Sequence, residues 1–249
     1  MSTSAIYHTE ADDIAPVSLT NKCIVLDLDQ TLIATQDDLE SLKKLGIMKD
    51  PKLLNLRRRV YHFSIEDLEK PGIGTQYEFW GVTRPHTQEF LLFCFSYFKI
   101  VAVWSAGKRQ YVEELVKFLF KDMPYPHVVF THDDIVYNDN GDVEKPLINM
   151  IESDPTLKKL MSLENTLAID DNYTTYIPNP GNGVLIPAYC PSSNINSLQK
   201  DDYALLQLKN WLLQDEVANA EDVTVLDKST IFSTSLKDSR KNISPRRFR

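Results

Sequence analysis

The chain of 249 residues has few cysteines, glycines and histidines, and each shortage argues against a class of function. Its three cysteines, Cys23, Cys94 and Cys190, are odd in number and lack metal-ligand spacing. Neither a disulfide framework nor a thiolate metal site is therefore expected. Cys23 and Cys94 lie in apolar runs and read as buried free thiols of a reducing compartment. Among the eight glycines there is no phosphate-binding P-loop and no dinucleotide-binding pattern, and no Ser-His-Asp signature is present. His127 and His132, with Asp133 and Asp134 nearby, do not meet metal-site spacing and read as loop residues. No apolar run approaches the roughly 20 residues that span a bilayer. The most apolar stretch, 90–98, carries Ser96 and Tyr97 and reads as a core helix. The opening MSTSAIYHTEADD has no basic region followed by an apolar core, so no signal peptide is expected. Positive charge is not in excess: net charge is −8 and the sequence pI about 5.2. That balance argues against a nucleic-acid coat or a basic membrane binder. Arg57-Arg58-Arg59 reads as a solvated face, with an anionic substrate or nucleic acid as the alternative partner.

What is present is an alternation of short apolar runs with helical periodicity. Buried strands are expected over 22–28, 99–104 and 166–169, with shorter ones over 127–131 and 184–186. Helices are expected over 37–45, from Arg84-Pro85 through the stripe 90, 91, 94, 95 and 98, over 108–120, after Lys145-Pro146, and over 201–217. Two β-like runs, 60–65 and 76–82, flank a Pro-Gly turn, and Asn140-Gly141 reads as a small hairpin. The pattern predicts an α/β domain, a doubly wound and mainly parallel sheet with a small β-hairpin insert. Residues 1–20 are expected to form a flexible arm, 21–217 the domain, and 218–249 a disordered Ser/Thr-rich tail that ends basic.

Three of the buried strands end in polar residues. The first ends in Asp27-Leu28-Asp29, the second in Ser105, the third in Asp170-Asp171. In a parallel sheet the carboxyl ends share one edge, where sites form. Four carboxylates gathered there need a cation, because buried like charges resist joint ionisation. Hard oxygen ligands suit Mg²⁺, and Lys145 offers a further positive charge. Each residue also has a plainer reading: Asp29 as a turn former, Ser105 as a helix N-cap, Lys145 as a solvated lysine after a hairpin.

The ordered set resembles the haloacid dehalogenase superfamily. Within it, the set is similar to the branch of RNA polymerase II C-terminal-domain phosphatases and NLI-interacting-factor-like phosphatases. The motifs that carry the resemblance are Val25-Leu26-Asp27-Leu28-Asp29-Gln30-Thr31-Leu32, Thr83-Arg84-Pro85, Val103-Trp104-Ser105-Ala106, Val143-Glu144-Lys145-Pro146-Leu147 and Ala168-Ile169-Asp170-Asp171-Asn172. The resemblance implies Asp27 as nucleophile and Asp29 as general acid/base. It implies Ser105 and Lys145 as phosphate-binding catalytic residues. It places Mg²⁺ on Asp27, the backbone carbonyl of Asp29, Asp170 and Asp171, with Asp171 the direct ligand of the motif-four pair. The implied activity is a protein serine/threonine phosphatase acting on a phosphopeptide such as the polymerase tail. The alternatives are a phosphatase of nucleotide, polynucleotide-end or lipid phosphates, and an inactive binding module of the same fold. A monomer inside the cell, cytoplasmic or nuclear, without a membrane span or nucleic-acid partner, is expected. Gln30 stands where this branch usually has Glu, and Ser105-Ala106-Gly107 where it usually reads Thr-Ala-Ser.

Overall fold

The structure, a computed structural model, describes residues 18–233. The expected N-terminal arm except for its last residues, and the basic tail with Ser244-Pro245, lie outside the described residues.

The run Cys-Ile-Val-Leu forms β1 (Cys23–Leu26), fully buried along its length. After a tight loop come β2 (Ile33–Gln36), α1 (Leu39–Leu45) and α2 (Leu54–Arg57). The hairpin strands β3 (Val60–Glu66) and β4 (Gln76–Thr83) follow, then α3 (Thr87–Tyr97), β5 (Ile100–Trp104) and α4 (Arg109–Leu119). Next are β6 (Val128–Phe130) and the small hairpin β7 (Val136–Tyr137) and β8 (Val143–Glu144), followed by α5 (Leu147–Ile151) and α6 (Pro155–Leu160). The chain continues through β9 (Thr166–Asp170), β10 (Gly183–Leu185), α7 (Ile195–Leu198), α8 (Ala204–Leu212) and α9 (Asp215–Ala218).

Five strands form one parallel sheet in the order β10-β9-β1-β5-β6. Strand alternation divides its side chains between two cores. Ile24, Leu26, Val101, Val103 and Leu167 pack under α3, α4 and α8. Cys23, Val25, Ala102 and Trp104 pack on the other face with Leu147, Met150 and Leu157 of α5 and α6. Helices thus cover both faces, as the sequence pattern predicts for a parallel sheet. β1 sits at the centre between β5 and β9: the chain lays β5 and β6 on one side of it and then crosses back to lay β9 and β10 on the other. This is the switch point at which parallel sheets place their sites. Cys23 and Cys94 are buried free thiols and Cys190 an exposed one. Among the described residues no helix is long and apolar enough to cross a membrane.

The runs at 60–65 and 76–82 pair as an antiparallel hairpin in a separate three-stranded sheet, β2-β4-β3. Its third member, β2, is not marked in the sequence, because Ile-Ala-Thr-Gln is short and only half apolar. Gly81 sits where a side chain would run into the Tyr61 hydroxyl and the Ala34 carbonyl, so glycine lets the Tyr61 ring lie across β4.

Three expectations change. The helix expected from Arg84-Pro85 begins at Thr87. Arg84 is held first, by its N–H on the Leu32 carbonyl and its buried guanidinium on Asp202 and the Thr31 and Pro187 carbonyls. The helix expected over 201–217 is two, because the backbone turns at Gln214 (ψ 140°) before α9 brings Val217 into the core. Residues 218–233, expected in a disordered tail, are packed: Val223 and Ile231 join the core and Lys228 binds the Gly181 and Val223 carbonyls. The larger apolar residues of this stretch, Val223, Val225, Leu226, Ile231 and Phe232, fall at no regular helical or strand spacing that would mark it as packed.

Candidate active site

The carboxyl ends of three adjacent strands bring the polar residues together. Asp27 follows β1, Ser105 follows β5 and Asp170 closes β9. The registers Leu26↔Val103 and Leu26↔Ile169 set these ends level. All six residues singled out in the sequence, Asp27, Asp29, Ser105, Lys145, Asp170 and Asp171, line one pocket of about 450 Å³.

Lys145 lies at its floor. The strand β8 and a backbone bond from Lys145 N–H to the Thr175 carbonyl (2.6 Å) deliver it there. Its ammonium donates to Asp27 Oδ1 at 2.8 Å and to Asp170 Oδ2 at 2.7 Å, with all three side chains buried. The solvated-lysine reading is excluded by this burial. Burial opposes the ammonium's charge, but the two carboxylates outweigh it and hold its pKa above the usual value. Asp170 spends its other oxygen on the Asn172 N–H at 2.9 Å. Asp27 keeps Oδ2 without a protein donor among the described residues.

Asp27, Asp170 and Asp171 present carboxylate oxygens within 4.8 Å of one another. One ammonium faces three carboxylates, all donors are hard oxygens, and of the motif-four pair Asp170 and not Asp171 forms the ion pair with Lys145. This donor set fits a small hard dication such as Mg²⁺. The Asp29 carboxylate stands outside the group, so only its backbone is left for the metal role that the resemblance implies. His127, His132, Asp133 and Asp134 do not gather: His127 Nδ1 accepts the Val101 N–H, and Asp133 pairs with Arg109.

Asp29 is held from the side. Tyr111 and Thr35 hydroxyls donate to its Oδ1 at 2.6 and 2.9 Å, and Tyr61 reaches Thr35 at 2.6 Å. Its Oδ2 takes no protein donor among the described residues. Burial raises the Asp29 carboxyl above the usual carboxylate range, and the two hydroxyls oppose that rise. Sequence reading misses Thr35, Tyr61 and Tyr111, which come from three separate elements. The nearest signal is Gly107: a Cβ there would lie 2.7 Å from the Tyr111 ring, so Ser-Ala-Gly makes room for that ring.

Ser105 is buried, its Oγ accepts the Gly107 N–H at 3.0 Å, and α4 begins only at Arg109. It is therefore not the cap of that helix. Gln30 adopts φ +60°, with its N–H on the Ile33 carbonyl, its carbonyl on the Tyr189 N–H and its Oε1 near the Cys190 thiol. These bonds shape the loop that presents Asp29, and an amide serves them as well as a carboxylate.

Burial raises the carboxyl pKa of Asp27, against Lys145 and with Asp170 and Asp29, and burial and Asp170 raise that of Asp171. Together with Asp29, the native state then binds more protons than the unfolded chain above about pH 4, and stability falls as pH rises. The carboxylates that are lowered, Asp67, Glu89, Asp222 and Asp227, act only below about pH 5, and the partly buried His127 imidazole, whose pKa burial lowers, works the other way between about pH 5 and 7, one group against three. The metal-free protein is expected to melt at a lower temperature at about pH 8 than at about pH 5.5. Mg²⁺ is expected to raise the melting temperature more at the higher pH. Calorimetry at both pH values with and without chelator checks this, and a melting temperature that rises with pH in chelator contradicts it.

Known proteins carry the same framework. The family model of NLI interacting factor-like phosphatases matches residues 22–224. A CTD phosphatase-like protein of Invertebrate iridescent virus 3 is 35% identical over 97 residues, 39% of this chain and 42% of that protein. The chain thus matches less than half the length of this relative. Among solved structures, Fcp1, described as an essential RNA polymerase II CTD phosphatase, is similar with TM-score 0.51 and 22% identity, over 84% of this chain and 58% of Fcp1. Fission yeast Fcp1 bound to beryllium fluoride is similar with TM-score 0.51 and 20% identity, over 79% of this chain and 56% of that one. At these identities the likeness is one of fold.

Proposed function

The chain belongs to the NLI interacting factor-like phosphatases, and from that membership we propose a Mg²⁺-dependent phosphatase that forms an aspartyl-phosphate on Asp27. Its substrate is phosphoserine or phosphothreonine in a polypeptide, a repeat tail like that of RNA polymerase II among them, and it works in the cytoplasm or nucleus. The observation that supports this best is the unequal treatment of the two oxygens of Asp27. Oδ1 is anchored by Lys145, and Oδ2 has no protein donor among the described residues.

In the first step Asp27 Oδ2 attacks phosphorus, the bond to the leaving oxygen breaks, and Asp29 gives that oxygen its proton. In the second, Asp29 takes a proton from water, the water oxygen attacks phosphorus, and the bond to Asp27 breaks. Ser105 and Lys145 hold the phosphoryl oxygens. Asp27 and Asp171, with Asp170 behind them and the Asp29 carbonyl, would hold Mg²⁺. When bound it supplies positive charge to the phosphoryl group and to the crowded carboxylates. Purified protein is expected to hydrolyse an aryl phosphate with Mg²⁺ and to stop with chelator. Side-by-side rates on tail phosphopeptides, nucleotides and phosphatidate test the substrate class, and equal weak rates on all three would sink it.

Tyr111→Phe removes one of the two hydroxyls that orient Asp29. A lost hydrogen bond to a charged group is expected to lower kcat roughly tenfold with little change in KM. The loss should be larger for an alkyl phosphate than for an activated aryl phosphate, because only the poor leaving group depends on the acid. An equal loss on both would assign Tyr111 a packing role alone.

A further inference from the structure

A second groove, of about 410 Å³, shares no lining residue with the catalytic pocket. It runs between the start of β3, the turn at Thr83-Arg84, the first turn of α3 and the end of α4. Its charges are unevenly satisfied. Arg84 is bound on two nitrogens by Asp202, and Glu89 is taken by Lys209 at 2.7 Å. Arg59 has no carboxylate: its guanidinium donates to the Thr83 and Leu198 carbonyls and to the Tyr189 hydroxyl. These are neutral acceptors and leave its charge uncompensated. Arg58 and Lys121 are exposed and have no side-chain partner among the described residues. Of the groove's two carboxylates Glu89 is held by Lys209, so three uncompensated cations face one remaining carboxylate, Asp122, in a chain whose net charge is −8.

The wall of this groove is fixed to the loop that carries the catalytic aspartates. Arg59 holds the Tyr189 hydroxyl at 2.6 Å, and the Tyr189 N–H binds the Gln30 carbonyl at 2.6 Å. Arg84 binds the Thr31 carbonyl at 3.1 Å. A ligand anchored there is thus held by a rigid frame relative to Asp27 and Asp29. Guanidinium and ammonium groups around a concave site complement a phosphate dianion better than a single carboxylate. A nucleic acid would need cations that track a series of phosphates along the surface, whereas these are gathered in one groove.

We propose that this groove binds a second phosphorylated side chain of the polypeptide being dephosphorylated, so that multiply phosphorylated chains are the preferred substrates. This rests on the protein-phosphatase reading above. Arg58 and Lys121 make the accessible contacts, and Arg59 sets the potential behind them.

The test is steady-state kinetics of the full chain on an aryl phosphate, a singly phosphorylated peptide, and the same peptide with a second phosphoserine at increasing separations. At the best separation the second phosphate should lower KM roughly tenfold, the effect of one or two charge-assisted contacts. The double variant Arg58→Glu, Lys121→Glu should remove that preference and leave aryl phosphate turnover unchanged. Equal KM for both peptides at every separation overturns the proposal while leaving the phosphatase reading intact. So does a variant that keeps the preference, or one that weakens an unphosphorylated competitor peptide by the same factor. If no phosphopeptide is turned over, the substrate reading fails by itself. Binding of both peptides to the Asp27→Asn protein then decides the groove, with equal affinities counting against it. An RNA oligonucleotide that displaces the doubly phosphorylated peptide at lower concentration also counts against it.

Discussion

Asp27→Asn is expected to abolish turnover, by a factor on the order of 10⁴ or more as for other covalent nucleophiles, in a protein that stays folded. Asparagine keeps the shape of the side chain and an oxygen for the Lys145 ammonium, now 2.8 Å from Oδ1. It removes the electron pair that attacks phosphorus in the proposed mechanism. It also removes one of three carboxylates crowded within 4.8 Å, so the metal-free variant should melt no lower than the wild type at about pH 8. Turnover of an aryl phosphate, read beside the melting temperature, separates lost chemistry from lost fold. Turnover within tenfold of wild type would mean that another residue is the nucleophile.

Lys145→Ala carries the second large effect, on rate and on stability at once. In the proposed mechanism it removes an electrostatic donor to the phosphoryl group, a loss that typically costs about 10²–10³ in rate. It also leaves Asp27 and Asp170 buried against each other, 8% and 4% exposed, with no ammonium between them. Removing one partner of such a buried pair typically costs about 3–5 kcal/mol. The destabilisation should shrink at about pH 5, where the stranded carboxylates can take up protons, and grow at about pH 8. Mg²⁺ should restore part of the stability and not the rate. Denaturant melts at the two pH values check the first claim, and a loss independent of pH would mean that Lys145 does not neutralise these groups.

Much of this architecture can be read from residue pattern. The buried runs around Val25, Val101 and Leu167 are too short and too apolar to be anything but covered strands, and each carries its polar residue at the carboxyl end. Parallel pairing then gathers Asp27, Ser105 and Asp170 without knowledge of a single contact. Lys145 is legible only through the order of the motifs, since nothing local shows that a lysine after a hairpin turns inward.

The parts that are not legible depend on tertiary geometry. Thr35, Tyr61 and Tyr111 converge on Asp29 from β2, β3 and α4, and no local pattern records a hydroxyl meeting a carboxylate across three elements. β2 is visible only through its partner β4. α3 starts only after Pro85 because His86 takes a left-handed backbone (φ 69°), which no helix can pass through. Val223 and Ile231 pack because the core has a place for them, not because their own segment is periodic. The Arg57-Arg58-Arg59 run shows the same limit. Its three side chains differ in fate, with Arg57 on the Ile47 and Asp50 carbonyls, Arg59 in the wall beside Tyr189, and Arg58 at the groove with no side-chain partner among the described residues.

In the proposed mechanism the phosphoryl group passes through the carboxylate of Asp27. This is tested most directly by quenching the enzyme in acid during turnover and reducing it with borohydride, which converts an aspartyl-phosphate to homoserine. Mass spectrometry of the digested protein should find homoserine at position 27 in the wild type and none in Asp27→Asn. Homoserine at another aspartate, or none anywhere while turnover proceeds, would rule out Asp27 as the nucleophile.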